Sequence, residues 1–377
     1  MNLYYIVNAR MPTEKAHGIQ VAKMCEAFEE AGITVTLIVP RRVTDQQSVQ
    51  EYYRLRQAIT VVRLPVIDWY TGGRLGYFIS SISFTISYTF FLFWKKIQRK
   101  QFILYTVDTD SYSSSALSLI GRPLFSEMHG SKSPIWPQRI LFKRVTGIIA
   151  INKIIVEELR SRFPYSRAQY IVEPNGVDLA QFRFLQDKKS ARLKLGISQD
   201  VQMVLYAGRF FEWKGLEILP KAADLTPLLC WQTVGGSRGD FERVTGVSAP
   251  TNLLFAGSRP HEEMATWFAA ADVLLVLGTS RDTQSYRYTS PMKLFEYMAA
   301  GRPIIASKTP ALQQIVNEHE VIFYQPDDAV DLARAAEYAV VPSSAQTSLI
   351  TAVTERSLSS SWRARAERII AFIVNNT

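Results

Sequence analysis

The chain has 377 residues, 47% hydrophobic and 20% charged, with a formal net charge of +9. That length exceeds one ordinary core, so two domains are expected, and the composition excludes a disordered or fibrous chain. Cys25 and Cys230 are too few and too scattered for a disulfide framework or a zinc site, which points to a reducing compartment.

MNLYYIVNAR has no basic segment followed by a long apolar run, so it reads as a first strand rather than a signal peptide. Short apolar runs then alternate with helical patterns, as in parallel α/β units. LYYIVNA (3–9) is a predicted strand, IQVAKMCEAFEEAG (19–32) a helix closed by Gly32, and TVTLIVP (34–40) and TVVRLP (60–65) further strands. FILYTV (102–107), PLFSEMHG (123–130), GIIAIN (147–152) and YIVEPNGVD (170–178) complete the first half. This half carries the basic excess: residues 1–180 hold 22 Lys and Arg against 14 Asp and Glu, residues 181–377 hold 21 against 20. Such asymmetry suits an anionic partner, and without a base-reading module nucleic acid is not expected.

LGYFISSISFTISYTFFLFW (75–94) is uncharged for twenty residues, long enough to cross a bilayer, and KKIQRK follows it. Six of the twenty are Ser or Thr and a buried strand comes next, which argues against a span. A helix packed on a sheet, or one lying on an anionic membrane with Lys95, Lys96, Arg99 and Lys100 near the headgroups, fits better.

The pattern restarts with VQMVLYAGR (201–209), CWQTVGG (230–236), NLLFAGS (252–258), DVLLVLGTS (272–280) and PIIAS (303–307), with helical segments between. The domain boundary is expected at 177/178. SSSWRARAERIIAFIVNN (359–376) is a predicted amphipathic helix burying Trp362, Ile369, Ile370 and Phe372. Within YTSPMKLFEYMAAGRPIIAS (288–307), Ser290 is the expected N-cap, Pro291 the first helical residue and Gly301 the left-handed C-cap. Two doubly wound α/β domains in tandem fit best.

Several stretches together resemble one family: PTEKAHGIQ (12–20), EMHG (127–130), EPNGVD (173–178), AGRFFEWKG (207–215), GSRPHEEMATWFAAADV (257–273) and SPMKLFEYMAAGRPIIAS (290–307). In order and spacing the chain is similar to GT-B-fold retaining glycosyltransferases of the family-4 type. The resemblance implies two Rossmann-like domains facing across a cleft: an N-terminal acceptor domain (1–177, with the helix of about 359–377 returning to it) and a C-terminal domain (178–358) for the nucleotide-sugar donor. It implies transfer with retention from a UDP- or GDP-sugar to a glycan or lipid-linked acceptor, with no metal or cofactor. The two cysteines, the basic first half and the apolar helix beside a basic cluster add the expectation of a cytoplasmic enzyme, peripheral to an anionic membrane.

Cleavage of the donor leaves charge on the diphosphate. Arg209 and Lys214 follow the second domain's first strand, where a guanidinium fork and an ammonium suit phosphate oxygens. The N–H groups of Met292 and Lys293 open a helix whose dipole favours the same anion. Gly208, Gly257, Ser258 and Ser290 complete the expected donor loops. Glu296 matches the second glutamate of the family's Glu-x7-Glu pattern, which implies hydrogen bonds to the ribose hydroxyls. The first glutamate is absent and Tyr288 stands there, which implies a different donor sugar, a substitute such as Asp282, or reduced activity, with the Tyr288 phenolic hydroxyl still on offer. His129 ends a strand and resembles the family's histidine beside the donor sugar. Gly18, in the loop after the first strand, allows close approach of sugar or acceptor, with His17 and Lys15 nearby.

Rival readings exist. Asp108-Thr109-Asp110 matches a metal-binding Asp-x-Asp, though strand-end capping explains it as well. A nucleotide-sugar epimerase shares the two-domain fold, and Tyr288 would suit a donor-binding relative without turnover.

Overall fold

The structure is a computed structural model and describes residues 1–42, 47–69, 72–110, 112–182 and 186–377. The apolar runs of the first half become seven strands: β1 (Asn2–Ile6), β2 (Thr34–Pro40), β3 (Thr60–Leu64), β4 (Ile103–Val107), β5 (Leu124–Met128), β6 (Gly147–Ala150) and β7 (Gln169–Val172). They pair in parallel in the order β3-β2-β1-β4-β5-β6-β7. Six more form the second sheet: β8 (Gln202–Ala207), β9 (Leu229–Val234), β10 (Leu253–Phe255), β11 (Val273–Val276), β12 (Ile304–Ser307) and β13 (Ile322–Tyr324). Their order is β10-β9-β8-β11-β12-β13, again parallel. Each sheet reverses its winding beside its first strand, and α/β sheets bind ligands beyond the carboxyl ends of the strands flanking that point.

The strands are continuous apolar runs because both sheet faces are covered. Along β8, Met203, Leu205 and Ala207 enter one buried cluster, while Val204 and Tyr206 enter the other.

Two compact units result, Met1–Pro174 with Trp362–Thr377, and Asn175–Ser361. The first crossing falls three residues before the expected 177/178 because Asn175 belongs to the second unit. Its N–H donates to Ser290 Oγ at 3.1 Å and its Nδ2 to Ser290 O at 2.6 Å. The returning helix begins at Trp362 rather than near 359, since residues through Ser359 extend the preceding helix Ser344–Ser359. It buries Trp362, Arg365, Ala366, Ile369 and Ile373, whereas Ile370 and Phe372 are half-buried. The unexpected member is Arg365, hidden because a buried carboxylate meets it.

The helix Gly73–Ile97 packs one face into the first unit, through Gly76, Ser80, Ser81, Phe84, Tyr88 and Leu92. Its serines serve as fasteners. Ser80 Oγ accepts the Trp69 N–H (3.0 Å) and donates to Ile67 O (2.7 Å), Ser83 Oγ accepts the Ile67 N–H (3.0 Å), and Ser87 Oγ donates to Pro65 O (2.5 Å). They stitch the incoming loop to the helix.

Candidate active site

In the second unit the loop after β8 is shaped by close backbone approach. Gly208 N–H donates to Val234 O at 2.8 Å, and a Cβ on Gly235 (φ +139°) would stand 2.2 Å from Gly208 O. Gly235 N–H donates in turn to Gly257 O at 2.9 Å, so three strand-end loops are laced together by glycines. Arg209 leaves this loop exposed. Lys214 ends the turn Glu212–Lys214, which Gly215 closes at φ +74°.

The Lys214 ammonium lies 3.4 Å from where a Gly208 Cβ would be, and 5.4 Å from the centroid of the Trp213 ring. Burial, and then the charge of Lys293, lower its pKa to about 8. Lys293 and Glu296 come from the helix Met292–Ala299, pinned to the end of β8 by the Ala207 N–H donating to the Tyr297 hydroxyl (2.9 Å). Glu296 is buried. Its Oε2 takes the Lys293 ammonium at 2.6 Å and its Oε1 lies 3.3 Å from His261 Nε2. His261 escaped the sequence reading: PHEEM marks a helix start, and nothing in its spacing announces a carboxylate thirty-five positions away.

Ser290 does not cap this helix. Pro291 occupies the N-cap position without a side-chain hydrogen bond, because the Ser290 hydroxyl oxygen is taken by Asn175. Gly301 adopts the expected left-handed conformation (φ +64°). Met292 and Lys293 open the helix, where first-turn N–H groups have no intrahelical acceptor. Tyr288, half-buried, ends the π-type turn Gln284–Tyr288. Asp282 starts that turn, and its Oδ1 accepts the Ser285 N–H at 2.9 Å. Gly257 is left-handed (φ +75°), with Ser258 exposed beside it.

In the first unit His129 follows β5. Its backbone N–H donates to Asp108 Oδ2 (3.1 Å), which also takes the Lys132 ammonium (2.7 Å), and its Nε2 meets Glu127 Oε1 at 2.9 Å. Glu127 is wholly buried and further accepts from Gln20 Nε2 (2.8 Å), the Tyr105 hydroxyl (2.6 Å) and Arg365 (2.7 Å). Burial alone would raise its pKa; Arg365 and His129 outweigh that and hold it at about 2. His17 stands near, its pKa lowered by burial and then by the charges of Lys15 and His129.

Gly18 lies in the first turn of the helix Ala16–Glu30, not in a free loop. A Cβ there would meet the Tyr53 hydroxyl at 2.3 Å and Thr13 Cγ2 at 2.5 Å, so the close approach it permits is made by the protein itself. Asp110 accepts from the N–H groups of Tyr112 (2.7 Å) and Ser113 (2.6 Å) and from Asn8 Nδ2 (2.7 Å), which is strand-end capping.

Paired all-parallel sheets wound in this order make up the GT-B fold of glycosyltransferases. A sucrose-phosphate synthase from Thermosynechococcus elongatus superposes with a TM-score of 0.71 at 20% identity over 99% of this chain and 98% of its own. The Anabaena protein HepE, in complex with UDP and glucose, superposes with a TM-score of 0.71 at 15% identity, each chain being covered in full (100%). Two family descriptions match, Glycosyltransferase Family 4 over residues 18–181 and Glycosyl transferases group 1 over residues 201–340. The chain belongs to the group 1 glycosyltransferases of the family-4 type. It is 31% identical over 157 residues to a D-inositol 3-phosphate glycosyltransferase of Catenulispora acidiphila (37% of this chain, 36% of that protein). It is 26% identical over 174 residues to an alpha-galactosylglucosyldiacylglycerol synthase of Streptococcus pneumoniae, 44% of either chain. These matches therefore span less than half of either relative's own length.

Proposed function

We propose that the protein transfers a sugar, with retention of anomeric configuration, from a UDP- or GDP-sugar to a glycan or lipid-linked acceptor. One observation carries this reading: the Lys214 ammonium is held against Gly208 at the end of β8, in the loop that also carries the exposed Arg209, and the helix bearing Lys293 is pinned to the same strand end by Tyr297. Gathered cations at a strand-end switch point suit a dianion, and the leaving diphosphate is one. The Met292 helix start adds N–H groups and a favourable dipole.

Lys214 and Arg209 stabilise the charge that develops on the leaving oxygens, and preorganised cations are worth most where water is scarce. Glu296 accepts the ribose hydroxyls, exchanging its Lys293 and His261 contacts for them. The leaving phosphate takes the acceptor's proton, so no separate protein base enters the step. His129, aligned by Glu127, serves the sugar. With Asp108 bound to Lys132 and Asp110 used in capping, the Asp-x-Asp carboxylates are already occupied, which favours a step without metal. No further cofactor is invoked. The basic first unit, with Lys15 and Lys132 near His17 and His129, suits an anionic acceptor at the cytoplasmic face of the cell membrane.

Thermal shift against UDP, GDP, ADP, CMP and dTDP and their sugars, with and without EDTA, tests the donor. A ligand at 100 times its dissociation constant should stabilise the protein by about 2.7 kcal/mol. One diphosphate standing out, indifferent to EDTA, supports the reading; no response, or a metal-dependent one, refutes it. NMR of the product's anomeric proton decides retention.

A further inference from the structure

The helix Gly73–Ile97 has two apolar faces, and the fold uses only one. Its buried residues recur every four positions, at Gly76, Ser80, Phe84, Tyr88 and Leu92. On the opposite side Leu75, Ile82, Ile86, Phe90, Phe93 and Ile97 stand exposed, Phe90 by 74% and both Leu75 and Ile97 by 61%. At 3.6 residues per turn these six fall within one arc centred opposite the buried stripe. Trp94, 59% exposed, flanks the arc near the helix's C-terminal end.

An apolar strip of this kind, about 33 Å long from Leu75 to Ile97 at about 1.5 Å per residue, is far more than scattered surface leucines. By length and hydropathy the helix could cross a bilayer, yet only 33% of its most apolar stretch is buried in the protein. Spanning would strip Phe84, Tyr88 and Leu92 from the core and break the serine bonds to residues 65–69. Lying flat keeps all of these and still removes the outer face from water.

Charge identifies the occupant. From residue 69 to residue 107 there are five cations, Arg74, Lys95, Lys96, Arg99 and Lys100, and no Asp or Glu. Four lie at or just past the helix's end: Lys96 donates to Ile120 O (2.8 Å) and Lys95 lies half-buried over the Phe91 ring, while Arg99 and Lys100 stand exposed a few residues after Phe93 and Trp94, a pairing of basic and aromatic side chains suited to a lipid interface. A second copy of this surface would bring cations toward cations, whereas anionic headgroups neutralise them.

We propose that the outward face of the helix Gly73–Ile97 is a docking surface for an anionic lipid bilayer. The helix lies in the interfacial plane, with Phe90, Phe93 and Ile97 among the acyl chains and the 95–100 cluster among the headgroups. This deepens the membrane-side part of the proposed function and rests on it, but it is independent of the donor assignment.

The test is co-sedimentation of the whole protein with vesicles of phosphatidylcholine alone, and of phosphatidylcholine mixed with phosphatidylglycerol. Binding to the mixed vesicles and far less to neutral ones is expected. Phe90→Ser with Phe93→Ser should weaken partitioning at least about tenfold. Arg99→Gln and Lys100→Gln, both exposed just past the helix end, should each cost about fivefold on the mixed vesicles only, and Lys95→Gln, half-buried over Phe91, no more than that.

Absence of vesicle binding overturns the proposal, as does equal binding to both compositions. So does a dimer in light scattering that Phe90→Ser with Phe93→Ser dissolves, since a second copy would then cover the face. Nucleotide thermal shift on the same samples separates the two ideas. A diphosphate response without vesicle binding sinks the docking surface alone, and vesicle binding without any nucleotide response sinks the donor assignment alone.

Discussion

The two sheets wind in the same order yet carry opposite chemistry near the carboxyl ends of their strands. In the first unit a single buried carboxylate, Glu127, is surrounded by donors and neutralised by Arg365. In the second, Glu296 meets Lys293 and His261, the charge of Lys293 reaches Lys214, and Arg209 stands exposed in the loop after β8. In the first the carboxylate is matched within the protein; in the second the cations of the proposed donor site exceed the one carboxylate. Topology therefore chooses the place, and the residues that follow the strands decide what may occupy it.

That contrast can be broken experimentally. The largest effect should come from Arg365→Met, which leaves Glu127 buried without its guanidinium and should cost about 3–5 kcal/mol. Urea unfolding should show the loss in the first unit's transition, with much of it recovered on adding Glu127→Gln. Unchanged stability would mean that the pair is not the first unit's internal counter-charge.

Lys214→Ala should behave in the opposite sense, with stability kept and catalysis lost. Removing one preorganised charge-stabilising group lowers kcat by roughly 10²–10³. Steady-state kinetics beside an unfolding curve would show the split, and a destabilised variant with full kcat would make the lysine structural.

Glu296→Gln should weaken nucleoside diphosphates by about 1.5–3 kcal/mol, the value of hydrogen bonds to a charged group. It should leave inorganic pyrophosphate unaffected. Calorimetry with both ligands checks this, and equal losses would place Glu296 away from the ribose.

The smallest effect is on pH. Lys214 has its pKa lowered from 10.5 to about 8 in the free protein. A bound diphosphate favours its charged form, so binding raises that pKa and takes up a proton as pH rises through 8. Affinity should be flat below about pH 7 and then fall, by at most about tenfold per unit. Binding enthalpies in two buffers of different ionisation heat would report the proton, and their coincidence at pH 8.5 would refute it.

The fold was legible because strands covered on both faces leave unbroken apolar runs, as in VQMVLYAGR, and because Gly301 and Gly215 punctuate where a left-handed residue is required. Cations placed directly after a strand, such as Arg209 and Lys214, could be read for the same reason. Partners separated by long stretches could not. Arg365 finds Glu127 across 238 positions, and the amphipathic pattern of its helix offered Ile370 and Phe372 as the buried residues instead. Ser290 carried every local mark of an N-cap, but Asn175 claimed its oxygen. Local chemistry cannot reveal such competition. The 75–94 segment was ambiguous for a better reason: it is uncharged around its whole circumference, and only the packed structure distinguishes the face in use.

The first unit is closed by residues made long after the rest of it. At a synthesis rate of roughly 5–20 residues per second, Arg365 leaves the ribosome roughly 10–40 s after Pro174. Throughout that interval the nascent first sheet lacks the guanidinium that pairs with Glu127 in the finished unit. The second unit, contiguous from Asn175 to Ser361, is free to finish first. In the order of synthesis, then, the N-terminal unit acquires the helix Trp362–Val374 only after the whole of the second unit has been made.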